Sequence, residues 1–201
     1  MVLLFRKDKS PKEKIAYIIS RIFEPLLWLG LLGVAVISSP AMDGHSRTMW
    51  SAELLVFLVG LPLLTLWLAF RKGKITDIDF TKKEERTPYL LAAIFYWALG
   101  MILTWGLGGP KVIIKILFVA VILGIMMLVI NFRYKVSGHA LGYTIAVLLM
   151  NEFYNWQYWW LIILVPVVWW SRQAQKKHTW GQLVLGTILA VAGWGIWIGI
   201  K

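Results

Sequence analysis

The chain of 201 residues is 59% apolar with a mean hydropathy of +0.70, which excludes an ordinary water-soluble domain. Its apolar runs are continuous rather than alternating, which excludes a β-barrel and predicts an all-α, polytopic transmembrane helical bundle. The net charge of +11 is accounted for by basic loops beside anionic headgroups and needs no nucleic-acid partner, and the absence of cysteine rules out a disulfide framework.

In chain order, residues 1–16 form a basic leader, with five Lys/Arg between Met1 and Lys14. Residues 17–199 form a single domain of about six to seven spans, at about 17–38, 50–70, 88–106, 112–131, 138–152, 156–170 and 179–199. Arg21 and Glu24 break the start of the first span, and at three residues apart they are expected to pair, with a place lining the entrance to a site as the second reading. The polar stretch Asn151, Glu152, Asn155 and Gln157 predicts an interfacial turn between spans five and six, because such groups sit badly in hydrocarbon. Thirteen Trp and seven Tyr gather near segment ends as interfacial anchors. Gly181, Gly186, Gly193 and Gly195 predict close packing of the last span.

The turn places loops 71–87, 132–137 and 171–178 on one membrane face. The leader, these loops and Arg21 hold 17 of the 21 Lys/Arg, and the bias survives removal of Arg86 and Arg172. That asymmetry predicts a cytoplasmic N-terminus and cytoplasmic loops in an inner cell membrane.

Three polar segments are expected to converge there: Asp77 to Pro88, Lys135 to His139, and Ser171-Arg172 followed by His178 and Gln182. A phosphoryl group needs positive charge and N–H donors on its oxygens. Arg86, Arg172, Lys82 and Lys83 offer charge, and backbone N–H groups at Ser137 and Gly138 open a helix. One histidine can attack phosphorus while the other protonates the leaving oxygen, and Gln182 can fix the tautomer of His178 from one helical turn away. On plainer readings, Lys82 to Arg86 is a solvated charged face, Lys176 and Lys177 anchor headgroups, and His45, beside Asp43 and Arg47, lies on the surface.

The pattern Ser137-Gly138-His139, then Ser171-Arg172 with His178, resembles the phosphatidic acid phosphatase type 2 superfamily, the membrane lipid phosphate phosphatases. The resemblance spans about residues 70 to 185 and implies a lipid-phosphatase-like bundle. By it, His178 is the nucleophile forming a phosphohistidine, His139 the general acid, and Arg86 and Arg172 the phosphate ligands. Hydrolysis of phosphatidic acid, phosphatidylglycerol phosphate or a polyprenyl diphosphate follows, with membrane lipids as partners and no metal or other cofactor. The pattern departs from the family's at four places. Val136 stands where the family has proline, Thr87 separates Arg86 from Pro88, and Asp79 stands seven residues before Arg86 where the family has lysine. Gln182 replaces an aspartate, for which Asp77 or Asp79 is a candidate substitute. Two rival readings remain: a catalytically degenerate member binding an anionic lipid or a partner, and a Mg²⁺-dependent membrane prenyltransferase using Asp77, Asp79, Glu84 and Glu85.

Overall fold

A computed structural model describes residues 10–40, 42, 47–80 and 82–200, except the side chain of Lys83. Most of the basic leader and His45 lie outside the described residues. Among those described, all regular structure is helical. Five helices are long and apolar enough to cross a membrane: Pro11–Ser38, Arg47–Arg71, Arg86–Gly106, Lys111–Asn131 and Trp180–Gly199.

The first of these is broken. Helix α1 (Pro11–Ile22) opens with a capping box between Ser10 and Glu13, with Pro11 in the first turn. Its Ala16 and Ser20, four apart, are buried, while Ile15, Ile18 and Ile22 are exposed. Phe23 closes it, Glu24 is extended, and Pro25 starts α2 (Pro25–Ser38). The expected span at 17–38 is therefore two helices, because proline cannot donate the N–H that would continue the first.

Helices α3 (Arg47–Leu55) and α4 (Leu61–Arg71) are joined by a π-helical turn, Val56–Gly60, just before Pro62. The missing proline N–H is accommodated by this local widening rather than by a break. Helices α5 (Arg86–Gly106) and α6 (Lys111–Asn131) form an antiparallel hairpin over the left-handed Gly108.

Helix α7 (Gly138–Phe153) lies at the centre, with α2 and α9 packed against it. Eleven of its 16 residues are buried, among them Tyr143, Val147 and Asn151. Enclosed by protein, α7 carries Gly, His, Thr and Asn that a lipid-facing helix would not. The predicted turn follows: Asn151 Oδ1 accepts the N–H of Tyr158 at 3.0 Å, and Asn155 and Trp156 adopt positive φ. A 3₁₀ stretch, Trp159–Leu164, then runs into α8 (Val165–Ala174), and α9 (Trp180–Gly199) ends the bundle.

Close packing fixes the helix ends. A Cβ at Gly186 would stand 2.6 Å from the Ser137 carbonyl, one at Gly142 2.7 Å from Pro25 Cβ, and one at Gly193 2.8 Å from Leu123. The expectation for small residues thus holds at Gly186 and Gly193, and at Gly181 against Tyr134, but not at Gly195, which faces open space. As a result α2, α5, α7 and α9 begin, and α1, α4, α6 and α8 end, on one side of the bundle. Gly186→Val should push α9 off the Ser137 loop and cost about 1–3 kcal/mol, read as a lower Tm in detergent; an unchanged Tm would mean that this contact is not structural.

Candidate active site

The four helix starts surround a cavity of about 140 Å³. Glu24 at α2, Arg86 and Tyr89 at α5, Gly138 and His139 at α7, and His178 ahead of α9 all line it, with Asp79 from the α4–α5 connection. Helix N-termini present unpaired N–H groups and partial positive charge, so the cavity favours an anion.

Backbone acceptors tie the three polar segments together. Arg86 Nη1 donates to the Val136 carbonyl at 2.6 Å, the Ser137 N–H to the Gln182 carbonyl at 3.1 Å, and Lys135 Nζ to the Lys177 carbonyl at 3.4 Å. Ser137 caps α7, its Oγ accepting from the Ala140 N–H at 3.3 Å.

Arg172, at the end of α8, is fully buried. Its Nη1 donates to Ser20 Oγ, and its Nη2 stands 3.1 Å from Asp79 Oδ1. The same Asp79 oxygen lies 2.5 Å from Arg21 Nη2, and Arg21 Nη1 lies 2.8 Å from Glu24 Oε2. Among the described residues, Arg172 Nε has no hydrogen-bond partner. A buried guanidinium with a spare donor suits a ligand carrying several oxygens.

His178 Nδ1 lies 2.9 Å from Gln182 Oε1. An amide oxygen only accepts, so Nδ1 carries the proton and the Nε2 lone pair is free. Gln182 also completes a capping box with Thr179, whose N–H reaches the same Oε1 at 3.4 Å. Burial, Arg172, Lys135 and Arg86 push the imidazole far below its ordinary value against the opposing bond to Gln182, so it is neutral at physiological pH. Burial pushes the Asp79 carboxyl up, yet Arg172 and Arg21 outweigh it and hold the group well below the usual carboxylate range. Lys135 is pushed down to about 8 by burial and by Arg86, Lys177 and Arg172.

Of the expected residues, His139, His178, Gln182, Arg86, Arg172, Ser137 and Gly138 are brought together. Lys82 is not: its side chain is 67% exposed and sits 3.9 Å from Glu85, because Lys82 precedes the 3₁₀ turn Lys83–Glu85 on the outer side of the loop. The Lys83 side chain lies outside the description. Asp79 and Asp77 do not replace the missing aspartate beside His178, since Asp79 is held by the two arginines and Asp77 lies 3.6 Å from Lys177. Nor do the four acidic residues form a magnesium cluster. Glu85 accepts from the Thr76 N–H at 2.7 Å, and Glu84 is exposed. Glu24, Asp79 and His139 offer ligand atoms within 4.8 Å of one another and could hold a metal ion. Both carboxylates are, however, already matched by guanidiniums that supply the positive charge.

Sequence reasoning missed Ser20 altogether; it gave Arg21 and Glu24 their mutual pairing first and a place lining the site entrance second, and the two residues do pair and line the mouth of an apolar groove. Ser20 is fully buried, and its Oγ bridges Arg172 and His139 Nε2, the latter at 3.3 Å. No sequence signal marks it, since the apolar face of α1 carries Ile15, Ile18 and Ile22 and Ser20 lies off that face. Comparison with protein-family models, with curated proteins and with solved structures gave no match.

Two outcomes follow. Histidine ¹⁵N NMR should show His178 as the neutral Nδ1–H form with no titration between about pH 5 and 8. An unfolded histidine takes up a proton near pH 6.5 and folded His178 does not, so this group makes stability fall as pH drops below about 6.5. Asp79→Ala should destabilise by about 3–5 kcal/mol by leaving Arg172 buried and uncompensated, and chemical denaturation of the variant at wild-type denaturant concentration would refute that pairing.

Proposed function

We propose that the protein is a membrane lipid phosphatase that hydrolyses a phosphomonoester or diphosphate through a phosphohistidine, as the resemblance to phosphatidic acid phosphatases of type 2 implies. The observation that carries this reading is the pair of histidines on one cavity. His178 is neutral and held through Nδ1, which leaves Nε2 as nucleophile, and His139 faces the same space beside Arg86. The surrounding charges support a dianion: Arg21, Arg86, Lys135, Arg172 and Lys177 stand against Glu24, Asp77 and Asp79, an excess of two positive charges.

A lipid, rather than a soluble ester, is favoured by an apolar groove of about 640 Å³ between α2 and the α3–α4 helix. It runs from Arg21 and Glu24 past Leu27, Leu31 and Val34, facing Leu63 and Trp67. Groove and cavity share Glu24, Leu26, Leu66 and Ile78, so a chain in one is continuous with a headgroup in the other. On this reading α7 and the segment Trp159–Ala174 are two further short spans, and the site opens to the cytoplasmic leaflet of an inner cell membrane.

In the proposed reaction, His178 Nε2 attacks phosphorus as the ester P–O bond breaks, and the leaving oxygen takes a proton from His139. Water then attacks the phosphohistidine, the P–N bond breaks, and the water proton restores His139. Arg86 and Arg172 hold the non-bridging oxygens. A second reading, a degenerate member that binds an anionic lipid, is favoured by Gln182, which orients His178 but brings no charge to stabilise the histidine as it becomes cationic.

Purified protein in EDTA should release phosphate from at least one member of a panel of lipid phosphates and diphosphates, and His178→Ala should lower the rate by about 10³-fold or more. Binding without release by wild type, with release gained in Gln182→Asp, would favour the degenerate reading. Release that requires Mg²⁺ would overturn the metal-free mechanism.

A further inference from the structure

Glu24 lies outside every motif that suggested the site, and its side chain does not cap the helix it begins. It occupies the N-cap position of α2, where a carboxylate ordinarily accepts from the first free N–H groups, yet it makes no such bond. Its carboxylate turns instead toward the cavity. Glu24 Oε2 lies 3.6 Å from His139 Nε2 and 2.8 Å from Arg21 Nη1.

Its place along the substrate path gives this contact a meaning. Glu24 is the charged residue shared by the apolar groove and the polar cavity. A lipid with its chain in the groove and its phosphate in the cavity would have the ester oxygen, the atom that leaves, at that threshold. His139 Nε2 faces this point between Glu24 Oε2 and Ser20 Oγ. Ser20 Oγ accepts from Arg172 and has a second lone pair that can accept the His139 Nε2–H, and it does not compete with Glu24 as a charge.

We propose that Glu24 is the positioning partner of His139 in leaving-group protonation: its carboxylate stabilises the imidazolium and holds Nε2–H at the ester oxygen. The inference rests on the phosphatase reading above. The two histidines differ in kind. His178 meets an amide and three cations and stays a neutral nucleophile, while His139 meets the carboxylate. Glu24 stays ionised throughout, and the proton delivered to the leaving oxygen is that of His139.

The bland alternative is that Glu24 only neutralises Arg21. Leaving-group dependence separates the two, since an alkoxide needs a proton and a nitrophenolate does not. The full chain in detergent would be assayed on dodecyl phosphate and on a nitrophenyl phosphate carrying a dodecyl chain. Glu24→Gln should lower kcat/KM on dodecyl phosphate by about 10²-fold but on the nitrophenyl ester by no more than about threefold. Glu24→Asp, which keeps the charge and the partner of Arg21, should show the same selectivity with a smaller loss, and it carries the test if the Gln variant fails to fold. His139→Ala should share the pattern. Equal losses on both esters, or no loss on either, would overturn the role of Glu24 and leave the phosphatase reading intact. No release from either ester by wild type, with none from the lipid panel, would overturn both.

Discussion

A guanidinium with no exposure to solvent, at the end of a helix on the rim of a membrane bundle, is the constraint around which this molecule is arranged. Arg172 cannot shed its proton and cannot be left unpaired in a low-dielectric interior. Its partners come from two distant parts of the chain: Ser20 on α1 and Asp79 on the α4–α5 connection. Each explains a feature that would otherwise be arbitrary. Helix α1 must lie against α8, and it does so through Ala16 and Ser20, small enough to let the backbones approach. The connection must fold inward, and it carries Asp79 there between the Asx turn at Asp77 and the left-handed Phe80. The arginine therefore joins the outer helices to the core and, through the same contacts, holds Asp79 in the wall of the cavity.

What could be read from the sequence was local. His178 and Gln182 meet because four residues is one helical turn, and Ser137 caps the helix whose first turn holds His139; neither needs knowledge of the rest of the fold. The turn after Asn151 was equally legible, because the polar side chains that forbid hydrocarbon are the ones that form it. Contacts between residues far apart in sequence were not. Ser20 and His139 are 119 residues apart, Ser20 and Arg172 are 152, and no periodicity encodes such pairings. Lys82 illustrates the opposite error. Its charge and position in the motif suggested a phosphate ligand, but on a 3₁₀ entrance to α5 it points to water. The short central helix was legible as well, since the expected span at 138–152 is α7 to within a residue.

Gln182 shows how one side chain serves two levels of structure. As the third residue of α9 it caps the helix start, a use that glutamine fills as well as any acid. The same oxygen fixes the His178 tautomer. Aspartate, one methylene shorter, is not the residue a capping box uses at this position. Glutamine at this position therefore has a structural use of its own, whatever charge it forgoes. The His178 environment holds three cations and an amide, and a carboxylate there would bind one of those cations.

On the proposed reading an acid and a nucleophile share one small cavity, and what would keep them chemically apart is where the carboxylates go. Both Glu24 and Asp79 sit on the α1–α2 side, against Arg21, Arg172 and His139; on the α9 side the nearest groups to His178 are an amide and basic residues. This polarity sets the direction of proton flow that hydrolysis would need, from the histidine near the lipid groove to the departing chain, with the nucleophile at the far wall. In that proposal it would also orient the substrate: a dianion would be drawn toward His178 by Arg86, Lys135 and Arg172 and kept from the threshold by Glu24, so the ester oxygen, which carries the least charge of the phosphate oxygens, would be the one beside a carboxylate. A site with its carboxylates placed the other way would hold the phosphate at the threshold and leave the chain without a groove.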